Sequence, residues 1–218
     1  YGFTAIIVAF LGRLNPVGQS IASYYPVPTR DVSDGSANFS STADQTGYAI
    51  VANTKIDHRF SDTVSLSGFY STNKTSRTNE NFWERGQGPH RFADPRDGTL
   101  DRTLHLLALN NTWLPGNNTV LTLRYGATRL QDDDSTTIDF DPAALGFNPT
   151  YLNATQIKKF PVGLVADYEG FGAVDPTDRI WDSWSVNGTL SRLLGRHTLK
   201  VGFDFRLLGV DTQSFTGG

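Results

Sequence analysis

The sequence contains no cysteine. Disulfides, thiolate metal sites and cysteine nucleophiles are excluded together, although this absence does not fix a compartment. Methionine is missing too and the first residue is Tyr1, so the chain reads as a fragment or processed product. Charge of one sign is scarce. Nineteen basic against 22 acidic residues leave a net charge of −3, which supplies no basic field for nucleic acid. Long apolar runs are lacking as well. The opening YGFTAIIVAFL covers only residues 1–11, short of the roughly 18 residues of a spanning helix. It also lacks the basic start and small-residue cleavage site of a signal peptide, and a frayed or truncated strand is its plainest reading. A mean hydropathy of −0.32 excludes a helical membrane protein. It does not exclude a membrane β-barrel, whose alternating strands average to polar.

What the chain does have is alternation. In RHTLKVGFDFRLL (196–208), His197, Leu199, Val201, Phe203, Phe205 and Leu207 fall on one side, against Thr198, Lys200, Gly202, Asp204 and Arg206. A period of two predicts an extended strand, because successive side chains leave a pleated backbone in opposite directions. The same pattern runs through YAIVANTKIDHRF (48–60) and TVSLSGFYST after Ser61-Asp62, through TLHLLALNNTW (103–113) and TVLTLRYGATRL (119–130) around Pro115-Gly116, and through IWDSWSVNGTLSRL (180–193). Six strands in three tight hairpins follow.

The connections between hairpins are long, polar and rich in Asp, Asn, Gly and Pro. Hairpins are expected at 48–72, 102–130 and 180–208, long extracellular loops at 73–101 and 131–179, and an N-terminal loop region at 1–47. Loops of that length count against a compact soluble domain. Short turns at one end and long loops at the other are the asymmetry of outer-membrane barrels. Strand length agrees, since a tilted transmembrane strand needs about 9–11 residues whereas soluble strands centre near 5–6. Phe60 and Trp113 before tight turns, with Tyr48, Tyr70 and Trp181 near long loops, read as two interfacial girdles. The fold class is therefore all-β, an antiparallel up-and-down transmembrane barrel segment. Its apolar side is expected to meet outer-membrane lipid, and Lys200, Asp204 and Arg206 a wet lumen.

Chemistry-bearing patterns are few. His58, His90, His105 and His197 show no ligand spacing, and no GxSxG, HExxH or P-loop appears. Ser185 or Ser191 beside His197 is a weak hydrolase pair, so no enzyme activity and no cofactor are expected. QDDDSTTIDFD (131–141) clusters Asp132, Asp133 and Asp134, which a hard cation would suit. The loop lacks the spacing and glycine of an EF-hand, and a solvated acidic loop is the preferred reading. Asp141 to Gly146 reads as one capped helical turn. Asn15-Pro16 starts another short helix with Val17, Ile21 and Tyr24 on one side. NENFWERGQGPHRF (79–92) brings Phe82, Trp83, Arg85 and Arg91 into one loop. Aromatics beside guanidinium groups suit ligand contact; the alternative is a loop that packs on its neighbours or caps the mouth. The sequons at Asn110 and Asn187 lie in predicted strands and read as chance.

RLNPVGQSIASYYPVPTR (13–30), IDHRFSDTVSLSGFYSTNK (56–74) and GRHTLKVGFDFRLL (195–208) resemble segments of TonB-dependent outer-membrane receptors of the Oar-like type. DPAALGFNPTYLNATQIKKFPVGLVADYEGFG (141–172) is similar to an extracellular loop of that group. The resemblance implies part of a plugged barrel of about 22 strands. Its partners would be outer-membrane lipid, an extracellular solute, and the TonB energy-transducing protein reached through an N-terminal part absent here, as is the plug domain. Two readings compete: a soluble β-sandwich or lipocalin-like binding module, and a structural or adhesive outer-membrane barrel.

Overall fold

A computed structural model describes residues 16–31, 38–79, 82–83, 88–135, 139–164, 169–173 and 175–215. The reading of residues 1–12 lies outside this set. Six strands follow one another: β1 (Gln45–Ser61), β2 (Val64–Asn79), β3 (Gly98–Gly116), β4 (Thr119–Ser135), β5 (Thr177–Leu194) and β6 (His197–Ser214). They form one sheet in the order β1-β2-β3-β4-β5-β6, every pair antiparallel. This is the expected up-and-down wall. Three two-residue turns join the hairpins at Asp62-Thr63, Asn117-Asn118 and Gly195-Arg196; Pro115-Gly116, expected to make the second turn, instead ends β3, and the two asparagines after it make the reversal. Gly195 takes φ 61°, the left-handed conformation that tight hairpins require and glycine reaches without strain.

The register brings the alternating sets together in rows across all six strands. Ile56, Gly68, Leu109, Tyr125, Val186 and Phe205 are successive partners on one face. Thr54, Tyr70, Leu107, Ala127, Trp184 and Leu207 form the next row toward the long loops. On the side of the turns, Gly188 is partnered by Phe203, whose ring lies so close over it that any added Cβ would collide. An aromatic ring covering a strand glycine restores the packing that the missing side chain forfeits. On the opposite face the matching row is Asp57, Ser67, Asn110, Arg124, Asn187 and Asp204. It is polar throughout. Asn187 donates to Asp204 at 3.1 Å, and Lys55 pairs with Asp57 at 2.8 Å.

The strands are longer than expected, at 16 to 19 residues. At about 3.3 Å per residue they outrun a hydrocarbon core of about 30 Å even when tilted. The surplus lies toward the long loops, and there the polarity of the two faces changes over. The face that is apolar near the turns becomes Ala52, Thr72, His105, Arg129, Asp182 and Gly209, then Tyr48, Ser76, Asp101, Asp133, Asp178 and Gln213. The other face takes up Leu104, Leu130, Trp181 and Val210 at the same height, with Leu106 and Leu208 one row below. An alternation that inverts partway along a strand fades into what reads as polar loop. For that reason the strands claim residues 73–79, 98–101, 131–135 and 177–179 from the loops expected there.

Two girdle residues are corrected by the register, and Tyr48 is the first, because it stands in the row of Asp101, Asp133 and Asp178 above the apolar band. Trp181 falls on the face of Leu104 and Leu130, away from the apolar band. Tyr70 and Trp184 occupy the upper edge of that band instead, 41% and 50% exposed, and Tyr125 packs against Trp184 with ring centroids 6.1 Å apart. Phe60 and Trp113 stand at the turn end as expected.

If the band meets hydrocarbon, Phe203→Arg destabilises assembly of the full-length protein by about 2–4 kcal/mol for a site near the midplane. Lys200→Ala on the polar face leaves assembly almost unchanged. Denaturant titration of protein refolded in lipid vesicles measures both, and equal tolerance at the two sites would refute the lipid-facing assignment.

Candidate functional site: a capped mouth

The connections at the long-loop end fold into a small module with its own core. Trp83, Ala93, Phe140, Leu145, Phe160 and Phe171 are buried together, and Ile21, Tyr24, Tyr25, Phe39, Phe82, Phe92 and Phe147 pack around them. The residues come from the stretch before β1 and from both long loops, so a single cluster ties three connections together. Tyr24 lies 4.9 Å from Phe160 and 5.6 Å from Phe140, centroid to centroid. Such tilted and edge-on aromatic pairs add about 0.5–1.5 kcal/mol each beyond their burial.

Local sequence explains how the pieces are shaped. The helix α1 (Pro16–Ala22) places Ile21 against the cluster, as its spacing predicts. Asp141 accepts from the Ala143 backbone N–H at 3.1 Å and opens a 3-10 turn over Pro142–Leu145, which Gly146 closes at φ 83°. The expected capped turn is there, one hydrogen-bond class tighter than an α-turn. A second helix, α2 (Pro149–Ala154), is capped by Asn148, which accepts from Tyr151 N–H at 2.9 Å.

Two buried charged groups lock the module. Asp94 is fully buried, and its carboxylate accepts backbone N–H groups from Phe82 at 2.5 Å, Trp83 at 3.0 Å and Arg96 at 2.9 Å. A buried carboxylate is tolerated only when its lone pairs are satisfied in this way. Lys159, also fully buried, donates to the Ala173 carbonyl at 2.5 Å and pairs with Asp175 at 2.6 Å. Neither residue stands out in the sequence, because a lone Asp or Lys in a polar loop carries no signal until its partners are known.

The expected ligand-contacting residues divide. Trp83 is 6% exposed and its ring packs 5.2 Å from Tyr25, so it holds the loop from inside instead of presenting a face. Arg91 lies over the Phe92 ring at 4.9 Å. Arg85 lies outside the described residues. Phe82 reaches a cavity, packed 6.0 Å from Phe39 and covered by the Arg96 guanidinium at 4.3 Å. Arg96 in turn pairs with Glu169 at 3.0 Å.

That cavity, about 410 Å³, sits where the module meets the upper rim of the sheet. Its walls are Phe82, Pro95, Arg96 and Asp97 from the loop, Ala43 and Asp44 from the approach to β1, and Gln45, Arg77, Asn79, Gly98, Leu100 and Asp134 from the strands. Arg77, Leu100 and Asp134 are row partners, on the same face as the polar ladder below. The cavity therefore opens onto that face.

The acidic trio does not act as one group. Alternation puts Asp132 and Asp134 on one face and Asp133 on the other. Asp132 is engaged by Arg102 in a two-pronged pair at 2.6 and 2.8 Å. Among the described residues no cluster of His, Asp or Glu has the arrangement of a metal site. The weak hydrolase pair fails on parity as well. His197 shares the apolar face, whereas Ser185 and Ser191 pair with Arg206 and Lys200 on the other.

Two expectations follow from the module. Asp94→Asn removes the charge from three backbone contacts and loosens the cap by roughly 1–3 kcal/mol. Hydrogen exchange at Phe82, Trp83 and Arg96 then rises while the strands stay protected, and unchanged exchange there would refute the role of Asp94. The second concerns alkaline pH. Burial, with Glu169 adding to it, raises the Tyr25 hydroxyl from 10.0 to about 12. The folded cap thus favours the neutral phenol, so this contribution is complete below pH 10 and is lost as pH climbs through 12. Trp83 fluorescence in the cap reports the loss, and Tyr25→Phe removes that part of the alkaline dependence.

No curated protein matches the chain closely enough to show a relationship. The family model of an outer membrane beta barrel domain matches residues 3–218, nearly the whole length. With a six-stranded antiparallel meander, an apolar band on one face and a polar ladder on the other, the chain belongs to the outer membrane beta barrel domain family and resides in the bacterial outer membrane.

Proposed function

We propose that this chain forms part of the wall and mouth of a TonB-dependent receptor that takes up a solute through a plugged barrel. The observation that carries the reading is the capped polar face. A polar ladder at bilayer height gives way on the same face to a belt with Leu104, Leu130 and Trp181, and above that belt a cavity of about 410 Å³ lies beneath a folded loop module. A wall built only as a structural element gains nothing from a cavity that opens onto its inner face.

The sheet edges support a barrel larger than these strands. Every residue of β1 and β6 is exposed, and each strand pairs on one side alone among the described residues. Unpaired backbone groups cost several kcal/mol each in hydrocarbon, so both edges demand further strands. In this reading those further strands make the barrel wide enough to need a plug. In this reading the chain performs no bond-making step. Capture falls to the loops, and the energy for passage comes from an inner-membrane partner engaging an N-terminal segment.

Cells carrying the full-length protein are expected to accumulate its solute only with an intact proton-motive force and TonB-type partner. Deleting that partner should abolish uptake while leaving outer-membrane assembly unchanged. Uptake that persists without it would overturn the energised mechanism, leaving a passive or structural barrel.

A further inference from the structure

The three tight turns differ in charge, and the third stands apart. We infer that the outer surface at the β5–β6 turn seats an anionic phospholipid, one whose phosphate carries no balancing ammonium. Short turns face the periplasm in outer-membrane barrels, so the seat lies in the leaflet on that side. It concerns the membrane-facing surface and does not depend on the uptake reading.

At the first turn the positive charge is answered on the spot. Arg59 pairs with Asp62 at 3.3 Å and donates to the Ser61 carbonyl at 3.3 Å. The second turn, Asn117-Asn118, is uncharged. The third gathers Arg192, Arg196 and His197, all exposed. Residues 187–203 contain no carboxylate, and neither do residues 113–123 of the neighbouring hairpin.

Arg192 is the informative residue, because strands flank it on both sides. Its row partners are Thr119 on β4 and Leu199 on β6, and neither can neutralise a guanidinium. The nearest carboxylate along β5 or β6 is Asp204, the row partner of Asn187, about 16 Å along the strands from Arg192. Asp204 also stands on the polar face, where it accepts from Asn187. Asp62 lies three strands over, about 14 Å away or more, and is engaged by Arg59.

The surroundings select the kind of anion. Arg192 lies on the lipid-facing side, one row beyond Leu190 and Val201. Leu190, Leu194, Leu199 and Val201 are 38–56% exposed, an aliphatic surface that suits acyl chains. An arginine stem laid along such a surface carries its charged head to the level of the headgroups, where the guanidinium offers a phosphate two parallel N–H donors. A soluble anion would use the guanidinium and leave the leucines bare. A phospholipid covers both. A zwitterionic headgroup brings an ammonium that finds no carboxylate in this sector, whereas an anionic one brings none, so the two arginines favour it.

The test uses the full-length protein in vesicles of equal parts phosphatidylglycerol and phosphatidylethanolamine, with a diazirine on the acyl chain of one lipid or the other. After photolysis, adducts are mapped by mass spectrometry over residues 190–201, with residues 58–66 at the first turn as the internal reference. Phosphatidylglycerol should label 190–201 at least about threefold more than phosphatidylethanolamine does, and the two should label 58–66 equally. Arg192→Gln with Arg196→Gln should erase the difference at 190–201. Arg192→Lys with Arg196→Lys, which keeps both charges, should preserve it. Equal labelling of 190–201 by the two lipids, the same preference at both turns, or a preference that survives the glutamine substitutions would each overturn the inference.

Discussion

The whole architecture depends on one requirement: in hydrocarbon, a backbone N–H or C=O has no water to fall back on. Strands satisfy it only by pairing with other strands, and the 16–19-residue strands here pair along nearly their full length. Once pairing is fixed, register is fixed too, because a slip of one residue would send every side chain to the wrong face. Side-chain polarity and backbone pairing therefore act as one constraint. Ile56 through Phe205 make an apolar row because Asp57 through Asp204 make a polar one a single position away.

The changeover of polarity along the strands marks where that solvent stops. Below it, lipid outside and a wet interior favour apolar-out and polar-in. Above it, His105, Arg129 and Asp182 stand on the outer face, with Arg129 and Asp182 paired at 3.6 Å, a cluster that would be costly in hydrocarbon. The wall thus rises clear of the bilayer. Its inner surface there turns apolar, with Leu104, Leu130 and Trp181, and above these the loops gather into a module around aromatic rings. That module is held by ordinary burial and by two buried charges with satisfied partners. It is a soluble-protein core built on top of a membrane-protein wall.

Much of this was legible in the residues. The hairpins, the tight turns, the short helix from Pro16 and the Asp141–Gly146 turn all rest on interactions within a few positions of the chain. Ends of strands were less legible, because beyond the bilayer neither face has a single fixed solvent and the alternation loses its contrast. The candidate site was half readable. Phe82 could be picked out as an aromatic near arginines, but nothing distinguishes it locally from Trp83, which turns inward. Arg77 and Asp134 read as members of a strand and an acidic loop, 57 positions apart by number, and become cavity neighbours through β3 between them.

The amino-acid sequence alone determined the period-two strands, their pairing into hairpins and the solvent each face meets near the turns, because those follow from side-chain alternation and turn chemistry. Tertiary structure decided how far the strands climb, which loop aromatics go inside, and that Asp94 and Lys159 become buried anchors. Those outcomes depend on contacts between segments far apart in the chain. No local pattern of residues encodes such a meeting; only the fold that brings the segments together does.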